Sequence, residues 1–168
     1  LASRGGTNIA AGDPSKDLRP SMDRLTKGFV AIAAVGVAVA VFHAYDEITA
    51  FTGPLSTACN INSFFSCGSV FASGDVTFPP GPYGLPLYAY GLVWFPLMAA
   101  LGLSYGRRTG SLDAEVMVPV LMVGNVFTLY LWYLELGVIH AVCPVCMTMY
   151  FLNYALTGLA LKRLLGPT

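Results

Sequence analysis

GFVAIAAVGVAVAVFHAY, residues 28–45, contains no Asp, Glu, Lys or Arg. A helix of about that length crosses the hydrocarbon layer of a bilayer. Three further charge-free stretches follow, from Val76 to Gly106, from Val116 to Leu134 and from Leu136 to Leu161. Of the 168 residues, 55% are hydrophobic and 11% are charged, whereas a soluble domain carries about a quarter charged residues. A soluble helical core would also be poor in charge, but it would not segregate its charges between long apolar runs. The sequence therefore predicts an all-α polytopic membrane protein, a bundle of four transmembrane helices. The spans are expected at about 28–45, 84–105, 116–138 and 142–163, with an outer loop over about 46–83.

The cations orient the bundle. All nine Lys and Arg residues fall in three places. Arg4, Lys16, Arg19, Arg24 and Lys27 precede the first span, Arg107 and Arg108 separate the second from the third, and Lys162 and Arg163 end the fourth. Four crossings put these places on one side, and cytoplasmic segments collect Lys and Arg. Both termini are thus expected in the cytoplasm, with the loop over 46–83 and the turn around Gly137–Val142 facing outward. Residues 1–22 are rich in Gly, Ser, Asp and Pro without apolar periodicity, which predicts a flexible cytoplasmic tail ahead of a membrane domain over 23–168. Gly36 would let a neighbouring helix approach the first span, and Pro96 would kink the second. Tyr83, Tyr88, Tyr90, Trp132 and Tyr133 gather near the outer boundary, as interfacial aromatics do. A quinone pocket would also need such walls.

The four cysteines form two pairs on the outer side, where disulfides persist. Cys59 and Cys67 make a C-x7-C in the outer loop, and Cys143-Pro-Val-Cys146 opens the fourth span. With Pro144 in the first turn of that helix, Cys143 and Cys146 share one face. The unpaired amides and positive dipole end there favour a thiolate. A C-x-x-C at a helix N-terminus suits dithiol exchange, and at the edge of the bilayer a lipid-soluble electron carrier can reach it. Two inert structural disulfides are a weaker reading, because C-x-x-C closes too short a loop for much entropic stabilisation. Zinc fits poorly with the C-x7-C spacing and an oxidising surrounding, and no metal is expected. Two pairs on one membrane face also argue against cysteines that merely fill space.

Other polar residues near this face are candidates of lower rank. Glu135 lies inside the third span and His140 follows in the turn, where both either serve function or reach the headgroups. His43, Asp46 and Glu47 close the first span and are expected at the interface. Tyr150 falls one helical turn below Cys146, so its hydroxyl is placed to donate to a quinone carbonyl. Asn125 and Asn153 sit deeper and are expected to join helices by hydrogen bonds.

Both cysteine pairs, at these spacings, resemble the vitamin K epoxide reductase family. Its pattern reads here as Cys59-Asn-Ile-Asn-Ser-Phe-Phe-Ser-Cys67, then Gly-Ser-Val-Phe-Ala-Ser73, then Cys143-Pro-Val-Cys146-Met-Thr-Met-Tyr150. The stretches from Tyr133 to Cys143 and from Tyr83 to Gly91 are similar to prokaryotic members, and the resemblance runs from about Leu25 to Leu165. It implies a four-helix bundle around a quinone of the menaquinone, vitamin K or ubiquinone type, capped by a short helix in the first loop. The run from Ser63 to Phe71 would be that helix, with Asn62 or Ser63 as its cap. The resemblance also implies roles. Cys146 would act on the quinone and Cys143 would resolve it, Cys67 would exchange with Cys143, and Cys59 with a protein partner. Ser73 and Tyr150 match positions lining the quinone pocket.

Two departures matter. Vertebrate members carry an Asn in the cap region, and the stretch from Val76 to Tyr83 has none, which puts epoxide reduction in doubt. A fused thioredoxin-like domain has no room after Leu165, so the expected partner is a separate extracytoplasmic thioredoxin-like protein, beside the membrane quinone pool. Nucleic acid is not among the expected partners. The resulting expectation is a quinone-dependent thiol oxidoreductase that promotes disulfide formation. The alternatives are a vitamin K epoxide or quinone reductase supplying hydroquinone, and a membrane scaffold stapled by disulfides.

Overall fold

The computed structural model describes residues 22–52, 59–73, 77–78 and 84–166. The flexible tail expected over 1–22 lies, Met22 apart, outside the described residues, as does most of the stretch from Val76 to Tyr83. Four long helices carry the fold: α1 (Arg24–Thr52), α3 (Leu87–Thr109), α4 (Ala114–Tyr133) and α5 (Pro144–Leu165). A π-helical segment, Leu134–Ile139, prolongs α4. A short helix, α2 (Cys67–Ala72), follows α1, and the two-residue strands β1 (Thr77–Phe78) and β2 (Leu85–Pro86) pair antiparallel before α3. The chain is an integral membrane protein with candidate spans Arg24–Thr49, Tyr88–Thr109, Ala114–Ile139 and Pro144–Leu165.

The helices overrun the charge-free stretches. Arg24 and Lys27 lie in the first turn of α1, Asp46 and Glu47 in its last turns, and Arg107 and Arg108 in the last turn of α3. A charge marks where the hydrocarbon layer ends, not where the backbone hydrogen-bond ladder must stop.

One end of the bundle is tied by caps. Asp23 Oδ1 accepts from the Thr26 amide at 2.7 Å, and Asp23 Oδ2 lies 3.5 Å from Arg163 Nη1. The Asp23 amide donates to the Gly110 carbonyl. Gly110 ends α3 with φ 75°, a left-handed conformation that suits glycine. These bonds gather the start of α1, the α3–α4 turn and the end of α5, together with Arg24, Lys27, Arg107, Arg108, Lys162 and Arg163. The cysteines occupy the opposite end.

Around the bundle, α3 packs on α1, α1 on α5, and α5 on α4. A Cβ at Gly36 would run into the Phe95 ring, so the close approach of α1 and α3 does depend on that glycine. Phe29, Phe95, Met98, Met117, Leu121 and Leu156 form the middle of the core. Val35, Val41, Leu129 and Phe151 point outward and are more than half exposed, a surface suited to lipid. Asn125 and Asn153 join helices as expected. Asn153 Nδ2 donates to Asn125 Oδ1 at 2.7 Å, Trp94 Nε1 to Asn153 Oδ1 at 2.9 Å, and Asn125 Nδ2 to Thr157 Oγ1 at 3.1 Å. This network links α3, α4 and α5.

Candidate active site at the cysteine end

Short backbone pairings bring the two cysteine pairs together. Asn62 Oδ1 accepts from the amides of Phe64 and Phe65 at 2.9 and 2.7 Å, turning the loop. The chain then runs extended and bridges to Val142. The Val142 amide donates to the Phe64 carbonyl at 2.7 Å, and the Ser66 amide to the Val142 carbonyl at 3.0 Å. Helix α2 begins only after this bridge, with Ser66 as its cap, Ser66 Oγ accepting from the Ser69 amide at 3.1 Å. The cap expected at Asn62 or Ser63 is therefore corrected to Ser66. The Asn62 side chain is committed to the preceding turn, residues 62–64 form bends, and the bridge pairs Phe65 with Val142.

The bridge sets residue 67 beside residue 143. Cys59 and Cys67 are joined as a disulfide, Cys143 and Cys146 are free thiols, and Cys143 Sγ lies 3.1 Å from Cys67 Sγ. That is a distance from which a thiolate attacks. As the sequence predicts, Pro144 occupies the first turn of α5. Cys143 is its N-cap, its sulfur accepting from the Cys146 amide at 3.2 Å. Burial pushes the Cys143 thiol up, but hydrogen bonds, from Cys146 first and from His43 second, outweigh it and bring it down to about 6. The helix N-terminus holds a nucleophile ready at neutral pH.

Three acid–base residues that the sequence places at the interface are instead inside. His43, Asp46 and Glu47 are 0%, 4% and 3% exposed. They lie at i, i+3 and i+4 on one face of α1, which turns toward the cysteines. His43 Nε2 lies 3.6 Å from Cys146 Sγ, and its ring packs on Phe71 at 5.3 Å between centroids. Asp46 Oδ2 lies 3.1 Å from Cys59 Sγ. The helical spacing of the three was the available signal. The apolar run around them hid it, because a polar group at the end of a span normally points to headgroups.

Glu135 is buried too, and His140 is exposed. The Tyr150 hydroxyl donates to Glu135 Oε1 at 2.8 Å, and the Cys143 amide to Glu135 Oε2 at 3.4 Å. The π-helical segment that holds Glu135 ends at His140, whose φ of 55° is unusual outside glycine. Extra-residue turns of this kind often sit at functional sites. Ser73 caps the end of α2 and its hydroxyl donates to the Val70 carbonyl at 2.8 Å. The structure thus brings together all four cysteines and sets Tyr150 one turn from Cys146, while Ser73 stands at the far end of α2.

Beside this cluster lies an apolar cavity of about 760 Å³ in the gap between α3 and α4, backed by α5. Tyr90, Trp94 and Phe95 line it from α3, Phe127 and Leu131 from α4, and Met149, Tyr150 and Asn153 from α5. Gly124 leaves room for the Trp94 ring, which a Cβ there would meet. Tyr90 and Phe127 face each other across the gap at 5.4 Å. Aromatic and aliphatic walls with a few polar groups fit a quinone ring and its isoprenoid tail. As for metals, donor atoms of His43, Cys143 and Cys146 lie within 4.8 Å of one another, as do those of Asp46, Cys59 and Cys67. In the second group the sulfurs are already bonded to each other, and in the first Cys143 Sγ lies against Cys67 Sγ.

Residues 28–161 of the chain match the vitamin K epoxide reductase family.

Proposed function

Because the chain belongs to the vitamin K epoxide reductase family, whose enzymes are quinone-dependent thiol oxidoreductases, we propose that it relays electrons from a thioredoxin-like partner to a membrane quinone. The route runs through Cys59 and Cys67 to Cys143 and Cys146. The observation that carries this reading is the 3.1 Å approach of Cys143 Sγ to Cys67 Sγ, between a loop disulfide and a buried dithiol.

A reduced partner attacks the Cys59–Cys67 disulfide at Cys59 and leaves oxidised, with Cys59 and Cys67 as thiols. Cys67 attacks a Cys143–Cys146 disulfide at Cys143 and frees Cys146. Cys59 then displaces Cys143, restoring the loop disulfide and leaving the bundle dithiol. That last state has the bonding seen here, with Cys59 joined to Cys67 and Cys143 and Cys146 free. A quinone in the cavity takes two electrons and two protons as the Cys143–Cys146 disulfide re-forms. Tyr150 stands in the cavity wall one turn from Cys146. Its hydroxyl is engaged with Glu135, so polarising a quinone carbonyl requires it to share or exchange that partner. Ser73, which the resemblance assigns to the quinone pocket, closes α2 on the cysteine side of the bundle.

The six cations at the opposite end support a cytoplasmic location for that end and an extracytoplasmic one for the cysteines. A separate thioredoxin-like protein would then dock from outside, and disulfide formation in secreted proteins would be the outcome. The test is to load the purified protein with quinone, add a reduced thioredoxin-like protein, and follow quinone absorbance for wild type and Cys146→Ser. Reduction that depends on Cys146 supports the relay. No reduction with any quinone, with the thiols unchanged, leaves a disulfide-stapled membrane bundle.

A further inference from the structure

Quinone reduction by a dithiol moves protons as well as electrons, and the reacting side chains are buried. Cys143, Cys146 and His43 are fully buried. Counted from the two thiols, forming the Cys143–Cys146 bond releases two electrons and two protons, the Cys143 proton leaving first. The quinone takes up two of each, so the step balances without another reactant. A thiol in such a place needs a neighbour that can hold its proton while the sulfur reacts.

The inner face of α1 supplies one. His43 Nε2 is within hydrogen-bonding reach of Cys146 Sγ at 3.6 Å, while His43 Nδ1 has no hydrogen-bond partner among the described residues. One turn further along the same face, Glu47 is 3% exposed and its Oε2 is also without a hydrogen-bond partner. A histidine kept only for packing would have both nitrogens satisfied or replaced by carbon, because an unpaired polar atom in a dry interior is costly. The two open valences match each other chemically. A protonated imidazole donates from both nitrogens, and Glu47, four residues on, shares its face of α1, although the two side chains are not hydrogen-bonded to each other here.

We propose that His43 is a catalytic residue of the quinone step. It accepts the Cys146 proton as the sulfur becomes a thiolate, and Glu47 is the positioning residue that stabilises the imidazolium. The proposal rests on the electron relay above for its reaction, but the His43–Cys146 proton link is testable without it. The groups facing this site are Asp46 and Glu47 from α1, Cys143, Cys146 and Tyr150 from α5, and Glu135 from the π-helical segment. Among the described residues, α3 brings the Tyr90 phenol to the adjoining cavity and α2 brings the disulfide-bonded Cys67.

The experiment uses the full chain in lipid nanodiscs, reduced to the dithiol and mixed with menadione, with single-turnover absorbance read across neutral and mildly alkaline pH. His43→Gln keeps a polar side chain but cannot hold the proton. It should slow the step about 100-fold at neutral pH, a loss typical of a missing general base. The deficit should shrink as rising pH forms the thiolate directly. Glu47→Gln should give a smaller loss with the same pH trend. The second reading needs no quinone: the rate at which a small thiosulfonate modifies Cys146 should show the same pH-dependent deficit in His43→Gln. An unchanged rate, or a deficit equal at every pH, overturns the proposal. If His43→Gln does not fold, His43→Asn and the solvent deuterium isotope effect on wild-type menadione reduction decide. An isotope effect near unity with a pH-independent Asn variant overturns it. If wild type fails to reduce menadione while the thiosulfonate deficit stands, the relay fails and the proton link survives.

Discussion

Two polar clusters lie inside this apolar bundle, and they are built differently. The Asn125–Asn153–Trp94–Thr157 network is closed: each amide and the indole has a partner between 2.7 and 3.1 Å. The cluster at the cysteine end is open. It pairs Tyr150 with Glu135 and His43 with Cys146, yet among the described residues His43 Nδ1 and Glu47 Oε2 have no hydrogen bond. Closed networks join helices in a bilayer, where polar pairs are among the few specific forces. An open one costs stability and persists where its spare valences are used. The first cluster reads as glue and the second as chemistry.

The largest effect should come from cutting the open cluster off from its electron donor. Cys67→Ser should lower partner-driven quinone reduction by at least about a thousandfold, because the exchange nucleophile is gone. Reduction driven by a small dithiol that reaches Cys143 directly should persist. Loss of both rates together would mean that Cys67 acts through folding.

Removing charge from the open cluster comes next. Glu135→Gln still accepts from Tyr150 but cannot carry the carboxylate charge. Quinone reduction should fall about tenfold, or about 1.4 kcal/mol of barrier, with thermal unfolding in detergent almost unmoved. A lowered unfolding temperature with normal turnover would move Glu135 into the structural class.

The reverse pattern is expected of the closed cluster. Asn125→Leu strips partners from Asn153 and Thr157 and should destabilise the bundle by about 1–2 kcal/mol. Turnover per folded molecule should stay within about twofold, since Asn125 is not among the cavity walls. Unfolding monitored by tryptophan fluorescence measures the first, and quinone absorbance the second.

The pH dependence of Cys143 offers a finer test. A thiol brought down to about 6 is mostly protonated below that pH and mostly thiolate above it. Modification by a small thiosulfonate should therefore rise through pH 6 and level off near neutrality. An unperturbed thiol would still be rising at about pH 8.5. The smallest effect lies at the far end of the bundle. The Asp23–Arg163 pair is 3.5 Å long with side chains 32% and 41% exposed. Arg163→Ala should change stability by less than about 0.5 kcal/mol, as exposed pairs do.

Much of this was legible in one dimension. Four apolar runs and the grouping of the cations predict four helices with a common basic end, because hydrophobic length and charge segregation are properties of consecutive residues. The C-x-x-C at the start of α5 was also readable. Pro144 and the helix N-terminus are local features, and the thiolate they favour needs no distant neighbour beyond what reinforces it. Asn125 and Asn153 could be assigned to helix joining because deep polar residues in a span have few other uses.

The tertiary structure decided what the sequence could only place in order. Cys67 meets Cys143 because the Phe65–Val142 bridge pairs residues from two distant loops, and no periodicity encodes such a pairing. His43, Asp46 and Glu47 look interfacial from their place at the end of a run. Their burial depends on α5 and α2 covering that face of α1. The cavity arises because α3 and α4, neighbours in the chain, are held apart while each packs on another helix. The helices, their common basic end and the two cysteine pairs could be read in one dimension, since they follow from nearest neighbours along the chain. Which sulfur faces which, and which acids are dry, follow from contacts between elements, where burial and pairing are settled only when the bundle closes.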